Sequence, residues 1–345
     1  MDKKKVRELG KYGLIDHLTS GIKPVNKSTI LGVGDDAAAI DSGGDLTLVS
    51  TDMMLEGIHF SLVYTPLKHL GYKAVLRAIS DIYAMNGKPS QILVSIGIST
   101  RFAIEDLEDL YSGINSACEK YGIDLAGGDS ASSLTGLTLC VTAIGHVDPG
   151  KIIRRSGAVA NDLICVTGDL GASYMGLQLL ERERRIFEKE KGIKPDLSGY
   201  EYIVGRQLKP EFPSEINEKL ASKGITPTSM IDITEGLASD LLQLCTSSDK
   251  GCRIYREKIP VDRETAAMAE EFGFDPLIAA LNGGEDYELL FTAPLDQIDK
   301  IIQMPGIKVI GHMTQTEYGR YIVSDNGEEI ELMAQGWKAN PSDPL

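Results

Sequence analysis

The sequence predicts an α/β (α+β) chain in two parts, residues 1–148 and 149–345. Three observations predict it. Strand-like and helix-like apolar patterns alternate through the first part. The turn signal Asp148-Pro149-Gly150 closes a long run rich in Thr and Val. A second alternation then begins. With 345 residues, 42% of them hydrophobic, the chain is long enough for two ordinary domains.

The elements follow in order. Residues 5–20 read as a short helix on Val6, Leu9, Leu14, Ile15 and Leu18, and 46–55 begin as a strand. From Pro66 to about Met85, Leu67, Leu70, Val75, Leu76, Ile79 and Ile82 fall on one helical face, and Gly87-Lys88-Pro89 stops the helix. Residues 91–98 alternate as a strand, 104–121 form a helix, 123–126 a short buried strand and 137–147 a long strand. In the second part, 162–167 is a buried strand and 171–180 a helix. The mixed charges of 181–191 continue that helix as a solvated end. Strands follow at 230–233, 251–256, 287–292 and 308–312, with a helix over 237–247.

The formal charge is −15 and the sequence pI about 4.9. That balance speaks against nucleic acid, whose phosphates require clustered Lys and Arg, and against an anionic membrane surface. A phosphorylated substrate would need metal ions to reverse the local field. Cys118, Cys140, Cys165, Cys245 and Cys252 form no C-x-x-C pair, which suggests reduced thiols in the cytoplasm. No run approaches membrane-span length, so the chain reads as soluble and unprocessed.

Acidic residues recur beside glycine or a small hydroxyl residue where strands should end: Gly34-Asp35-Asp36, Ser50-Thr51-Asp52, Ser80-Asp81, Gly127-Gly128-Asp129, Asp232-Ile233-Thr234-Glu235 and Gly283-Gly284-Glu285-Asp286. Carboxylates and hydroxyls are hard oxygen ligands suited to Mg²⁺, and glycine lets the backbone approach a ligand closely. Each motif also has a plain reading. Gly34-Asp35-Asp36 makes a solvated turn, Ser50-Thr51-Asp52 an N-cap, and Asp81 an outward carboxylate on a buried helix. Thr234-Glu235 sits at a helix start, where phosphate gains from free N–H groups or where Asp240 completes a cap. Arg155 is a candidate guanidinium for phosphate oxygens or a surface charge, and His59 follows a ligand-rich strand. Trp337 stacks on an aromatic substrate or closes the core. There is no G-x-x-x-x-G-K-[ST] run, no kinase H-R-D loop and no sign of a covalent nucleophile. Chemistry would therefore rest on metals and positioning.

Taken in order, these segments resemble the thiamine-monophosphate kinase family. Glu56-Gly57-Ile58-His59-Phe60, Lys73-Ala74, Arg155-Ser156-Gly157-Ala158 and the run from Gly283 through Glu285-Asp286-Tyr287-Glu288 to Thr292 join the motifs above. The resemblance implies a two-domain fold shared with aminoimidazole-ribonucleotide synthetase, N-terminal domains paired in a homodimer, and ATP in a cleft beside the seam. It implies direct transfer from ATP to thiamine monophosphate, without a phosphoenzyme. By position, Asp36, Ser50, Thr51, Asp52, Asp81, Asp129, Asp232 and Glu235 would hold several Mg²⁺ ions. Tyr111, Gly128, Asp129, Arg155 and Thr234 would contact ATP. His59, Glu285 and Trp337 would face thiamine monophosphate. The pattern departs at Thr234-Glu235-Gly236, where the family reads Ser-Asp-Gly. The alternatives are another ATP-dependent enzyme of the same fold, such as aminoimidazole-ribonucleotide synthetase, and a non-catalytic protein binding nucleotide or divalent cations.

Overall fold

The computed structural model describes residues 9–189 and 197–334, so Trp337 lies outside the described residues. The chain opens with α1 (Gly10–Thr19), β1 (Thr29–Leu31), β2 (Ala38–Asp41), β3 (Leu46–Leu55) and α2 (Leu67–Ala84). β4 (Lys88–Ile98), α3 (Ile104–Tyr121), β5 (Asp124–Ser132) and β6 (Thr138–Val147) follow. The six strands form one sheet in the order β1-β2-β3-β6-β4-β5, parallel at β4–β5 and antiparallel elsewhere.

A second sheet begins at β7 (Leu163–Thr167), followed by α4 (Ala172–Lys189), α5 (Glu201–Leu208), α6 (Ile216–Ser222) and β8 (Ser229–Ile233). Then come α7 (Leu237–Ser248), β9 (Lys250–Tyr255), α8 (Arg263–Glu271), α9 (Pro276–Asn282) and β10 (Glu288–Ala293). α10 (Ile298–Ile301), β11 (Ile307–Gln315), β12 (Arg320–Val323) and β13 (Glu329–Glu331) end the described chain. Its order is β13-β12-β9-β11-β7-β10-β8, with β12–β9 the parallel pair among the described residues.

α2 is the central element. Leu70, Ala74, Val75, Ala78, Ile79 and Ile82 are buried against the first sheet and its neighbours. The core they join also takes in Phe212, Tyr287, Leu289 and Phe291 from the second unit. α3 lies on α2 at glycine-to-backbone contact. A Cβ on Gly113 would stand 1.8 Å from the Lys68 carbonyl oxygen, and one on Gly71 would stand 2.1 Å from that of Leu110. The five cysteines are free thiols, four of them buried.

Two expectations need correction. Residues 123–126 are not a short buried strand. β5 runs nine residues and is largely exposed at the edge of the sheet. Gly127-Gly128-Asp129 therefore lies within the strand rather than in a turn beyond it. Gly128 is required there by close pairing, since a Cβ would stand 1.8 Å from the Val94 carbonyl oxygen. Ser50-Thr51-Asp52 likewise lies inside β3, which continues to Leu55.

The helix contact yields the first prediction. Gly113→Ala places a methyl group inside a backbone atom of α2, so the helices must separate. Overpacking of this kind costs about 1–3 kcal/mol or more. A thermal melt should show Gly113→Ala clearly destabilised, whereas Gly122→Ala, at an open helix end, loses less despite its left-handed φ of +66°. Equal melting temperatures for Gly113→Ala and wild type would contradict the close crossing.

Candidate active site

Strand alternation decides which side chains of β3 reach the site. Successive residues face opposite sides of the sheet. Ser50 and Asp52 face α2, and the Ser50 hydroxyl donates to Asp81 Oδ2. Thr51 borders the cleft, but its hydroxyl lies 3.1 Å from Thr142 Oγ1 on the opposite face. Ser50 and Asp52 thus reach the site from one face of β3, while Thr51 borders the cleft from the other.

α2 brings Ser80 and Asp81 to the same place. Ser80 Oγ donates to Asp232 Oδ2 at 2.5 Å, across from the end of β8. Asp36, on the turn before β2, is held by Arg155, whose Nε and terminal nitrogen donate to Oδ1 at 2.9 and 2.5 Å. Carboxylate oxygens of Asp36, Asp81 and Asp232 come within 4.8 Å of one another. Asp81 is therefore not an outward surface group, and the turn of Asp35 and Asp36 is not merely solvated. Asp35 accepts from the Arg155 main-chain N–H at 3.1 Å and so pins Arg155 in position.

Burial drives the electrostatics. It raises the Asp36 carboxyl to about 8, against the pull of Arg155. It also holds Asp81 well above its usual range, with Asp52, Asp232 and Asp36 adding repulsion, and it raises Asp232. Asp36 Oδ2 is buried with no hydrogen-bond partner. An orphaned acceptor among crowded carboxylates fits a divalent cation, which would satisfy all of them at once.

At the start of α7, the buried Asp240 accepts the N–H groups of Thr234 and Glu235 at 3.0 and 3.1 Å. The capping reading is thus realised, and it fixes Glu235 at the rim, where Lys11 Nζ of α1 meets its carboxylate at 2.5 Å. Lys11, Tyr12, Asp36, Asp52, Asp81, Arg155, Asp232 and Thr234 line one cleft of ≈ 630 Å³.

The other side of the site centres on Glu285. It has a left-handed φ of +56° between Gly284 at +70° and Tyr287 at +53°, in the loop joining α9 to β10. Non-glycine residues in that region cost of order 1–3 kcal/mol and cluster at functional loops. Glu285 accepts from Lys73 Nζ at 2.7 Å and from an Arg77 terminal nitrogen at 3.2 Å. Burial alone would raise its carboxyl, but Lys73 and Arg77 outweigh that and hold it below the usual range. His59 is pushed down by burial and by Arg77, and its Nδ1 accepts the Leu55 N–H at 3.0 Å.

The sequence reading gives Lys73 and Arg77 no role, and gives Asp240 only that of a cap. A signal for the first two was present: Lys73, Arg77 and Asp81 recur at i, i+4 and i+8 within a helix that reads as largely buried. Three expected residues, Tyr111, Gly128 and Asp129, do not line the cleft in this chain. Tyr111 sits on α3 against the first-unit core. Gly128 pairs with Val94, Val94 with Val141 and Val141 with Asp52. Three strand spacings, roughly 14 Å, therefore separate Gly128 from Asp52.

Comparison with known proteins follows the same lines. Residues 34–147 match the model for AIR synthase related protein, N-terminal domain. A thiamine-monophosphate kinase of Aquifex aeolicus is 30% identical over 97% of this chain and 99% of its own. One of Synechococcus elongatus is 32% identical over 96% of this chain and 97% of its own. The solved complex of AaThiL with AMPPCP and TMP superposes with TM-score 0.81 at 28% identity, covering 98% of this chain and 99% of that one.

The crowded carboxylates have a pH consequence. Their folded-state values are raised above the usual value near 3.8, so their stability contribution is full below about pH 4 and is lost as pH rises, for Asp36 through about 8. In EDTA the melting temperature should therefore fall as pH rises over that range, and Mg²⁺ should restore it. Asp81→Asn removes one carboxyl whose ionisation its neighbours oppose. At about pH 8 in EDTA it should melt higher by about 2–4 °C, the shift ~1 kcal/mol gives a domain of this size, and it should lose most of the Mg²⁺ effect. A variant with the wild-type pH slope and an intact Mg²⁺ response would refute the crowding.

Proposed function

Because the chain belongs to the thiamine-monophosphate kinase family, we infer that it transfers the γ-phosphoryl group of ATP to thiamine monophosphate, giving ADP and thiamine diphosphate. The observation that carries this reading is the convergence of Asp36, Asp81 and Asp232 within 4.8 Å in a cleft that Arg77 and Arg155 also line. Two anions must meet for this reaction, and an acidic protein can join them only with fixed cations. Near-full-length similarity to kinases acting on thiamine monophosphate favours this reaction over that of aminoimidazole-ribonucleotide synthetase and over a non-catalytic role.

In this reading Asp36, Ser50, Asp52, Asp81, Asp232 and Glu235 hold Mg²⁺. Bound Mg²⁺ supplies charge neutralisation at the phosphate oxygens. Arg155, anchored by Asp35, and Thr234 face the nucleotide, while His59 and Glu285 face the acceptor. No side chain here acts as a covalent nucleophile.

We further infer a homodimer, with 1–148 as the pairing domain and 149–345 as the second. The face of the first sheet opposite α2 carries Thr51, Met53, Leu55 and Leu93, with Met53 53% exposed. Bare apolar sheet faces of this kind invite a second copy. Such pairing would also give Gly128 and Asp129, exposed on β5, a cleft to serve across the seam. Among the described residues no helix is long and apolar enough to cross a membrane.

Two measurements test this. ADP release with ATP and Mg²⁺ should depend on thiamine monophosphate. Asp52→Asn should lower kcat by about 10²-fold or more with little change in melting temperature. Turnover of a purine precursor instead, or near-normal activity in Asp52→Asn, would overturn the assignment. In sedimentation, wild type should run as a dimer and Met53→Asp as a monomer.

A further inference from the structure

The cleft must admit a second anion, the phosphate of the acceptor, next to a wall of carboxylates. This question rests on the kinase reading above, and it asks which of the chain's own groups receives that phosphate. Two buried cations and one histidine stand near the acceptor side. His59 Nδ1 is already taken up, accepting the Leu55 N–H at 3.0 Å. Lys73 is buried, 3% exposed, and its ammonium is committed to the Gln207 carbonyl at 2.8 Å and to Glu285 at 2.7 Å. Arg77 differs from both. It is also buried, 9% exposed, yet it lines the cleft.

Its bonding is the informative feature. Arg77 Nε donates to Asp52 Oδ1 at 3.1 Å and a terminal nitrogen donates to Glu285 Oε1 at 3.2 Å. One of those carboxylates belongs to the metal-facing set and the other to the acceptor-facing set. Both bonds are longer than the 2.7–2.9 Å usual for charge-assisted contacts, and neither is a two-nitrogen grip. Arg155, by contrast, seizes Asp36 through two nitrogens. Arg77 is therefore held between two carboxylates, with the buried Tyr287 beside it, and is saturated by neither carboxylate. Lys73 and Arg77 together balance Asp52 and Glu285. A metal held by Asp52 would take up that carboxylate's charge and would leave the guanidinium with an excess of positive charge beside the cleft it lines.

We propose that Arg77 binds the phosphate of thiamine monophosphate and holds it for in-line attack. A non-bridging oxygen of that phosphate forms the new bond to the γ-phosphorus. The bond from that phosphorus to the β–γ bridging oxygen breaks, and ADP leaves with the electron pair. Arg77 exchanges no proton; it lowers the repulsion between the two anions.

The test compares two ligands that differ by the phosphate alone. Binding of thiamine monophosphate and of thiamine is measured calorimetrically, in Mg²⁺, for wild type, Arg77→Lys and Arg77→Met. Wild type should prefer thiamine monophosphate. Arg77→Met should lose about 10- to 100-fold in affinity for it, as expected for removing hydrogen bonds to a charged group, while thiamine binding stays within about twofold. Arg77→Lys, which keeps the charge but not the fork, should fall between. Should Arg77→Met fail to fold, Arg77→Lys carries the same comparison. Parallel loss for both ligands would mean that Arg77 only positions Glu285, and unchanged affinity for thiamine monophosphate would mean it does not touch the phosphate; either overturns the proposal. A wild type with no preference between the ligands would instead sink the acceptor assignment on which the proposal stands.

Discussion

The arrangement of this protein follows from keeping Asp36, Asp81 and Asp232 close together in a buried place where they repel one another. In the absence of cations such a site resists assembly, so the surrounding scaffold has to hold it. It does so with short polar ties to elements that are themselves well packed. Ser50 ties Asp81 from β3, Ser80 ties Asp232 from α2, and Arg155 ties Asp36 from the segment leading to β7. Each tie comes from a different part of the chain, so the site exists only when both sheets are in place.

α2 does most of the positioning. Its apolar stripe locks it into the core, and the glycine contact with α3 brings a second helix to backbone distance. Packing of that density leaves little freedom to rotate or slide. Lys73, Arg77, Ser80 and Asp81 therefore keep fixed positions along one rod. The Lys73–Glu285 pair and the carboxylates around Asp81 are held at a constant separation, which is what a transfer relying on orientation requires.

Much of this was legible in the sequence. The long helices over Leu67–Ala84 and Ile104–Tyr121 carry strong periodicity, and their limits follow from Pro66, Gly87 and Gly122. The acidic corners stood out because glycine and small hydroxyl residues accompany them. What was not legible depends on neighbours distant in sequence. β5 reads as a short buried strand because Leu125 and Ile123 are apolar, but its exposure is set by its place at the sheet edge. Which way Thr51 points depends on the register of β3 against β6. Arg77 reads as an ordinary helical charge until Asp52 and Glu285, 25 residues before it and 208 after it, are seen to share it.

The contacts that cross between the two sheets bear on how such a chain can evolve. Lys73 reaches Gln207 and Glu285, Ser80 reaches Asp232, and Lys11 reaches Glu235. Severed near residue 148, each half would expose apolar surface and strand a buried ion without its counterpart. The halves are thus not interchangeable cassettes. New specificities are more readily reached by altering the rim, at Lys11, His59 or the loop around Glu285, than by recombining domains.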